Sequence, residues 1–168
     1  VFLEANNEGI CTNLNDGDAS KWAENNVLLL NMALTIPCPP GKFCKIAKHV
    51  PLWEDFTGYL MAYIDTFEQP MSFILWGSKA KAYAGTVKNI QHKTFEGGHP
   101  SPKAPSSSFF CKNYFTCANN WLAKNEAQPI NWNLSASCQA KPTCEWAWDS
   151  ETRSSSCEKT CVEVACPI

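Results

Sequence analysis

The sequence predicts an α/β fold of three layers built on a short parallel sheet. Two patterns carry that expectation: unbroken apolar runs of strand length, and helix-period stretches lying between them. Ten cysteines in 168 residues add disulfide-richness to it. Val27-Leu28-Leu29-Leu30-Asn31 is an apolar run closing on a polar residue, as strands covered on both faces do. Residues 72–76 form the second such run, and residues 93–96 read as the third strand. Residues 19–26 suit a short helix with Trp22 on its inner side. Residues 52–67 place Leu52, Phe56, Leu60, Tyr63, Ile64 and Phe67 at helical spacing, which predicts an amphipathic helix. Helices are also expected over 78–87 and 112–124. Residues 1–18 are polar, contain Cys11 and read as a leader or loop. Residues 37–51 are rich in Pro, Gly and Lys and read as a loop holding Cys38 and Cys44.

Composition narrows the function classes. An apolar share of 45% and an aromatic share of 12% belong to a packed domain. At this length about 70% of the unfolded surface becomes buried. The formal charge of −2 and a pI near 5.9 give no basic field, and the only arginine is Arg153. Strong nucleic-acid binding is therefore not expected. No apolar run is long enough for a membrane span.

The cysteines speak to environment. No Cys-x-x-Cys pair exists, so no metal site is expected, and no cofactor is implied either. Cys11, Cys38, Cys44, Cys111, Cys117, Cys138, Cys144, Cys157, Cys161 and Cys166 are instead expected in disulfides, in a secreted, extracellular protein whose mature chain opens at Val1. Residues 1–132 read as the α/β domain and residues 133–168 as a Cys-rich extension. Each part holds five cysteines, and two odd sets cannot both close internally. Full pairing within the chain thus requires at least one bond clamping the extension to the domain. Asn133-Leu134-Ser135 matches a glycosylation sequon.

Functional loops of a parallel sheet lie at the carboxyl ends of its strands. Asn31, Gly77 and His99 all fall there, so the topology alone directs them toward one crevice, with Ser101 beside His99.

Four segments in register sharpen this reading. They are Val27-Leu28-Leu29-Leu30-Asn31, Phe73-Ile74-Leu75-Trp76-Gly77-Ser78, the turn His99-Pro100-Ser101-Pro102 followed by Phe109-Phe110 and Asn119-Asn120-Trp121-Leu122, and Gln128-Pro129-Ile130-Asn131-Trp132. In this order they resemble the uracil-DNA glycosylase family, from about Asp16 to Trp132. The resemblance implies that Asn31 reads uracil. It also implies that His99 donates to the base oxygen that becomes anionic, a form of electrostatic catalysis, and that the loop after His99 enters DNA. Asn31, Gly77, His99 and Ser101 are then the ligand-binding residues, with His99 a vestigial catalytic candidate. The family's Gly-Gln-Asp-Pro-Tyr-His segment, whose aspartate activates water, lies upstream of the matched part, so this chain is expected to lack it. Lys103 stands where the family has its wedge leucine, Ser107 and Ser108 replace an arginine and a glycine, and Cys111 replaces a glycine.

The expectation drawn from these departures is a repurposed, secreted protein without repair activity, acting by binding, signalling or defence on a protein receptor or target. The alternative is a uracil-DNA glycosylase, one chain of a processed enzyme. Other polar residues read as structural. His49 and His92 are expected on the surface and Glu54, Asp55 and Glu96 as solvated charges. Trp146 and Trp148 are expected to pack against the domain.

Overall fold

The computed structural model describes residues 1–12, 17–38, 41, 49–101, 106–134, 145–149, 154–159 and 166. In chain order they form α1 (Phe2–Asn7), α2 (Ser20–Glu24), α3 (Val50–Ile64), β1 (Met71–Trp76), α4 (Gly77–Lys81), a 3-10 turn (Ala84–Thr86), β2 (His92–Gly97), α5 (Ser106–Phe109), α6 (Tyr114–Lys124), β3 (Glu145–Asp149) and β4 (Ser154–Lys159). β1 and β2 pair in parallel, from Met71 opposite His92 to Trp76 opposite Gly97, so both carboxyl ends finish level. The crossover between them carries α4 and the 3-10 turn, the helical link that parallel neighbours need. This is the mixed architecture with a short parallel sheet that the apolar runs predict. β3 and β4 form a separate antiparallel pair. The packing expected of Trp146 and Trp148, which lie on β3, falls outside the described side chains.

The core gathers on α6, whose buried residues Tyr114, Phe115, Cys117, Ala118 and Leu122 recur at helical spacing. Trp22 of α2 sits at its centre. Its ring lies 5.5 Å from Phe2 and 5.6 Å from Trp132 edge-on, and 5.6 Å from Phe115 at a tilt, aromatic contacts worth about 0.5–1.5 kcal/mol each beyond burial. Its indole N–H donates to the Trp132 carbonyl at 2.7 Å, so the buried polar atom is satisfied. Asn119 explains two of the sequence motifs at once. Its amide oxygen accepts from the Ile130 N–H at 2.9 Å and the Trp132 indole at 3.2 Å, while its nitrogen donates to the Ile130 carbonyl at 2.9 Å. The Gln128–Trp132 motif is thus held to α6 by one side chain.

Four expectations are corrected. The segment read as a polar leader begins with α1, a core element: Ala5 and Glu4 are fully buried. The run 27–31 is not a strand, because among the described residues no neighbouring strand supplies a ladder, and Leu28 and Leu29 are exposed. The helix expected over 78–87 breaks into α4 and the 3-10 turn, with Gly85 inside that turn. On α3 the apolar stripe is only partly covered: Leu60 and Ile64 are half-buried beside the buried Thr57 and Met61, whereas Leu52, Phe56 and Tyr63 are exposed.

Cys117 of α6 is disulfide-bonded to Cys166, 49 residues away. Cys11, Cys38 and Cys111 are also disulfide-bonded, and no described cysteine is free. Cys44, Cys138, Cys144 and Cys161 lie outside the described residues, as does the side chain of Cys157. No helix among the described residues is long and apolar enough to cross a membrane.

Candidate functional site

The level ends of β1 and β2 create the candidate site. Gly77 follows β1 with φ +88°, in the left-handed region that favours glycine. A Cβ there would stand 3.0 Å from His99 Cδ2 and 3.1 Å from His99 Cβ. The imidazole therefore lies directly on the bare backbone of Gly77. Across the turn, the Ser101 N–H donates to His99 Nδ1 at 3.1 Å. An accepting Nδ1 must carry a lone pair, so in this contact the neutral ring has its proton on Nε2. The turn exposes that ring to solvent. The result is an oriented N–H donor at the mouth of the sheet.

The turn is braced from behind. The Gly98 N–H donates to the Ser108 carbonyl at 2.7 Å, returning the chain to α5. Gly97 has no room for a side chain: a Cβ would stand 2.7 Å from Tyr114 Cε1 and nearer still to the hydroxyl end of that ring. Trp76 packs 5.4 Å from Phe109 and 5.7 Å from Tyr114. The Trp76 indole N–H and the Tyr114 hydroxyl are buried, with no hydrogen-bond partner among the described residues. Burial, then the nearby Glu4 and Glu8, pushes the Tyr114 pKa up, so the phenol stays protonated.

Sequence reasoning missed Glu4 and Glu8 of the α1 region as supports of this wall. Glu4 accepts from the backbone N–H groups of Cys111 at 3.0 Å and Lys112 at 2.9 Å. Glu8 accepts from Thr116 at 2.6 Å and from Phe115 at 3.4 Å, at the opening of α6. Together they steady a turn in which Cys111 and Asn113 both have positive φ. Burial, with the Glu4 charge adding to it, pushes the Glu8 carboxyl up to about 7 against the hydrogen bonds from Thr116 and Phe115. The signal was present in the sequence: Glu4 and Glu8 are four apart, one helical face, and Gly9 stops the turn.

Gly77, His99 and Ser101 are thus brought together. Asn31 is exposed at the end of its unpaired run, and no hydrogen bond among the described residues ties it to them. Lys103 lies outside the described residues, and so do the side chains of Ser106 and Ser107. His92, expected at the surface, is buried at the far end of β2 against Phe73, with both ring nitrogens unpartnered among the described residues. It begins β2 opposite Met71, on the same face as Thr94, whose partner Phe73 covers the imidazole. His49 bonds through Nδ1 to the Thr35 hydroxyl at 2.7 Å. Glu54, Asp55 and Glu96 are exposed. The Asn133 amide oxygen accepts from the Cys11 N–H at 2.8 Å, and its nitrogen donates to Asn131 at 3.1 Å. No group of three metal-ligating side chains occurs among the described residues.

No protein-family model matches the chain. Individual relatives do. The chain is 33% identical over 134 residues to uracil-DNA glycosylase 2 of Listeria monocytogenes, covering 80% of this chain and 58% of that one. It is 35% identical to uracil-DNA glycosylase 1 of Listeria innocua, covering 73% and 53% respectively. With the uracil-DNA glycosylase of Streptococcus sanguinis the identity is 36%, over 68% of this chain and 51% of the relative. The chain therefore spans about half the length of the relatives it matches. Among solved structures, a variant of the mimivirus UNG in complex with UGI matches with a TM-score of 0.67 at 21% identity, over 79% of this chain and 54% of that one. That likeness concerns the fold.

These findings overturn the expectation of a repurposed binding, signalling or defence protein acting on a receptor. The relatives are named as glycosylases, and nothing points to a toxin or a signalling task. Lys103, Ser107, Ser108 and Cys111 are local departures within a match that runs through most of the chain. The expectation that nucleic-acid binding is weak fails with it. It rested on net charge, which says little about one local surface.

Proposed function

We propose that this chain, which belongs to the uracil-DNA glycosylase family, forms the base-anion side of a glycosylase site for uracil-containing DNA. One observation carries the reading: His99 rests on Gly77 with Nδ1 accepting the Ser101 amide, which leaves Nε2 as the ring's N–H donor. Enzymes of this class take the nucleotide out of the stack and break the bond between the base and C1′ of the sugar. The departing base carries the electron pair of that bond while C1′ takes a hydroxyl from water, and the charge develops on the carbonyl oxygens of the base. A neutral imidazole N–H held in place stabilises that charge without reorganising at the moment of reaction. Asn31 would read the polar edge of the base, as the sequence resemblance implies. The relatives named as uracil-DNA glycosylases support this substrate class.

The test is direct binding to this chain. Titrating it with uracil-containing single-stranded DNA should shift the ring signals of His99 and the amide of Ser101. The same strand with thymine in place of uracil should move them far less. His99→Ala should weaken uracil-selective binding at least tenfold. In any preparation that releases uracil, the substitution should slow release about a hundred- to thousandfold. Equal shifts with both strands, or uracil release indifferent to His99→Ala, would end this reading.

A further inference from the structure

The last rung of the β1–β2 ladder is Trp76 opposite Gly97. Both residues adjoin the site: Trp76 precedes Gly77, and Gly97 lies two residues before His99. One side chain meets both. The Tyr114 ring packs 5.7 Å from Trp76, and its far end occupies the place where a Gly97 side chain would stand. A Cβ at Gly97 would overlap the Tyr114 hydroxyl and Cζ and stand 2.7 Å from Cε1. The glycine and the histidine that meet at the sheet's mouth are thus both referenced to one ring.

Gly98 behaves differently. A Cβ there would overlap Ser108 Oγ, but it would also stand 2.7 Å from the Ser108 carbonyl carbon, so backbone itself forbids a side chain. At Gly97 the three nearest atoms all belong to the Tyr114 side chain. Room at Gly97 is therefore set by one phenol, and the two residues share a single packed volume.

The ring is firmly held. Tyr114 is 3% exposed, and Phe109 packs 5.7 Å from it. Its backbone is pinned on both sides, by Glu4 at the Lys112 N–H and by Glu8 at the Phe115 N–H. Yet its hydroxyl has no hydrogen-bond partner among the described residues. A buried hydroxyl in that state works against stability, so phenylalanine would fill a purely structural role at least as well. What the oxygen adds is its contact with Gly97.

We propose that Tyr114 is a positioning residue for His99. Its phenol, seated against Gly97, sets the end of β2 relative to β1, and with it the way the imidazole rests on Gly77. The inference deepens the reading of His99 as the donor to the base and rests on that reading for its functional meaning.

The test uses the DNA-free chain and begins by removing one oxygen. Tyr114→Phe should leave the unfolding midpoint unchanged or raise it, while shifting the ring nitrogen signals of His99 and speeding exchange of the Ser101 amide about threefold or more. Gly97→Ala drives a methyl group into the phenol and should speed that exchange about tenfold or more. Adding Tyr114→Leu, whose side chain lacks the overlapping ring atoms, should return it to within about threefold of the parent. Tyr83→Phe is the control: that hydroxyl donates to the Glu54 carbonyl on α3, and its loss should leave both signals in place. In any preparation that prefers uracil over thymine strands, Tyr114→Phe should cut the preference about threefold or more. Four outcomes would overturn the proposal: unmoved His99 and Ser101 signals in Tyr114→Phe, a lowered midpoint with faster exchange throughout the core, a double variant no better than Gly97→Ala, or an undiminished preference for uracil. The first three are read without DNA, so they stand apart from any failure of uracil recognition.

Discussion

Gly77→Ala tests the geometry on which His99 depends. The substitution acts in two ways. It places an L side chain at φ +88°, a conformation costing about 1–3 kcal/mol. A stiffer unfolded chain offsets about 0.4–1 kcal/mol of that, leaving a net loss of about 1–2 kcal/mol. It also drives a methyl group to 3.0 Å from His99 Cδ2, 3.1 Å from its Cβ and 3.4 Å from its Cγ. The imidazole must then shift by several tenths of an ångström, lengthening the bond that Nδ1 accepts from Ser101. Urea unfolding followed by tryptophan fluorescence reads the first effect, and exchange of the Ser101 amide reads the second. Gly85→Ala is the control, since nothing lies within 4 Å of its Cβ position, and its stability should stay within about 0.5 kcal/mol of the parent. If Gly77→Ala unfolds like Gly85→Ala and the Ser101 amide exchanges as before, His99 does not rest on this glycine.

Three further outcomes follow from the supports of the site. The Glu8 pKa is raised in the fold, to about 7 from 4.5, so its contribution is fully present below 4.5 and is lost as pH rises through 7. The loss is at most about 3 kcal/mol and smaller to the extent that water screens the carboxylate. Unfolding midpoints from pH 4 to 8 should show the decline, and Glu8→Gln should flatten it. Glu4→Ala strands the partly buried N–H donors of Cys111 and Lys112 and should cost about 1–3 kcal/mol in urea. Cys117→Ala opens a loop of 49 residues and should cost about 4 kcal/mol under non-reducing conditions. Full reduction of the parent should cost at least as much.

The sequence made the framework legible where one element both carries a pattern and satisfies it. β1 follows its apolar run, and α6 follows the spacing of Tyr114, Phe115, Ala118 and Leu122. The contact between Gly77 and His99 was anticipated from strand-end topology, because residues at level carboxyl ends have little choice of neighbour. Reading failed where burial depends on a partner from elsewhere. Leu28 and Leu29 of the run, and Leu52, Phe56 and Tyr63 of the stripe on α3, have the composition of buried surface yet face solvent, since periodicity reports a preference for cover and not its presence. Glu4 was invisible for the opposite reason. A charged residue reads as solvated until two backbone donors more than a hundred residues away are known to meet it. Four motifs in register report family more reliably than cysteine count, net charge or a few altered loop positions, which vary without changing the framework.

The carboxylate of Glu8 closes its bond to Thr116 across 108 residues of chain, and this sets a timetable for biogenesis. At a synthesis rate of about 5–20 residues per second, that interval lasts roughly 5–20 seconds. During that time α1 has emerged without the groups that complete its burial. Ribosome-bound nascent chains should therefore leave this helix open to proteolysis until α6 has cleared the exit tunnel, making its docking a late event despite its early translation.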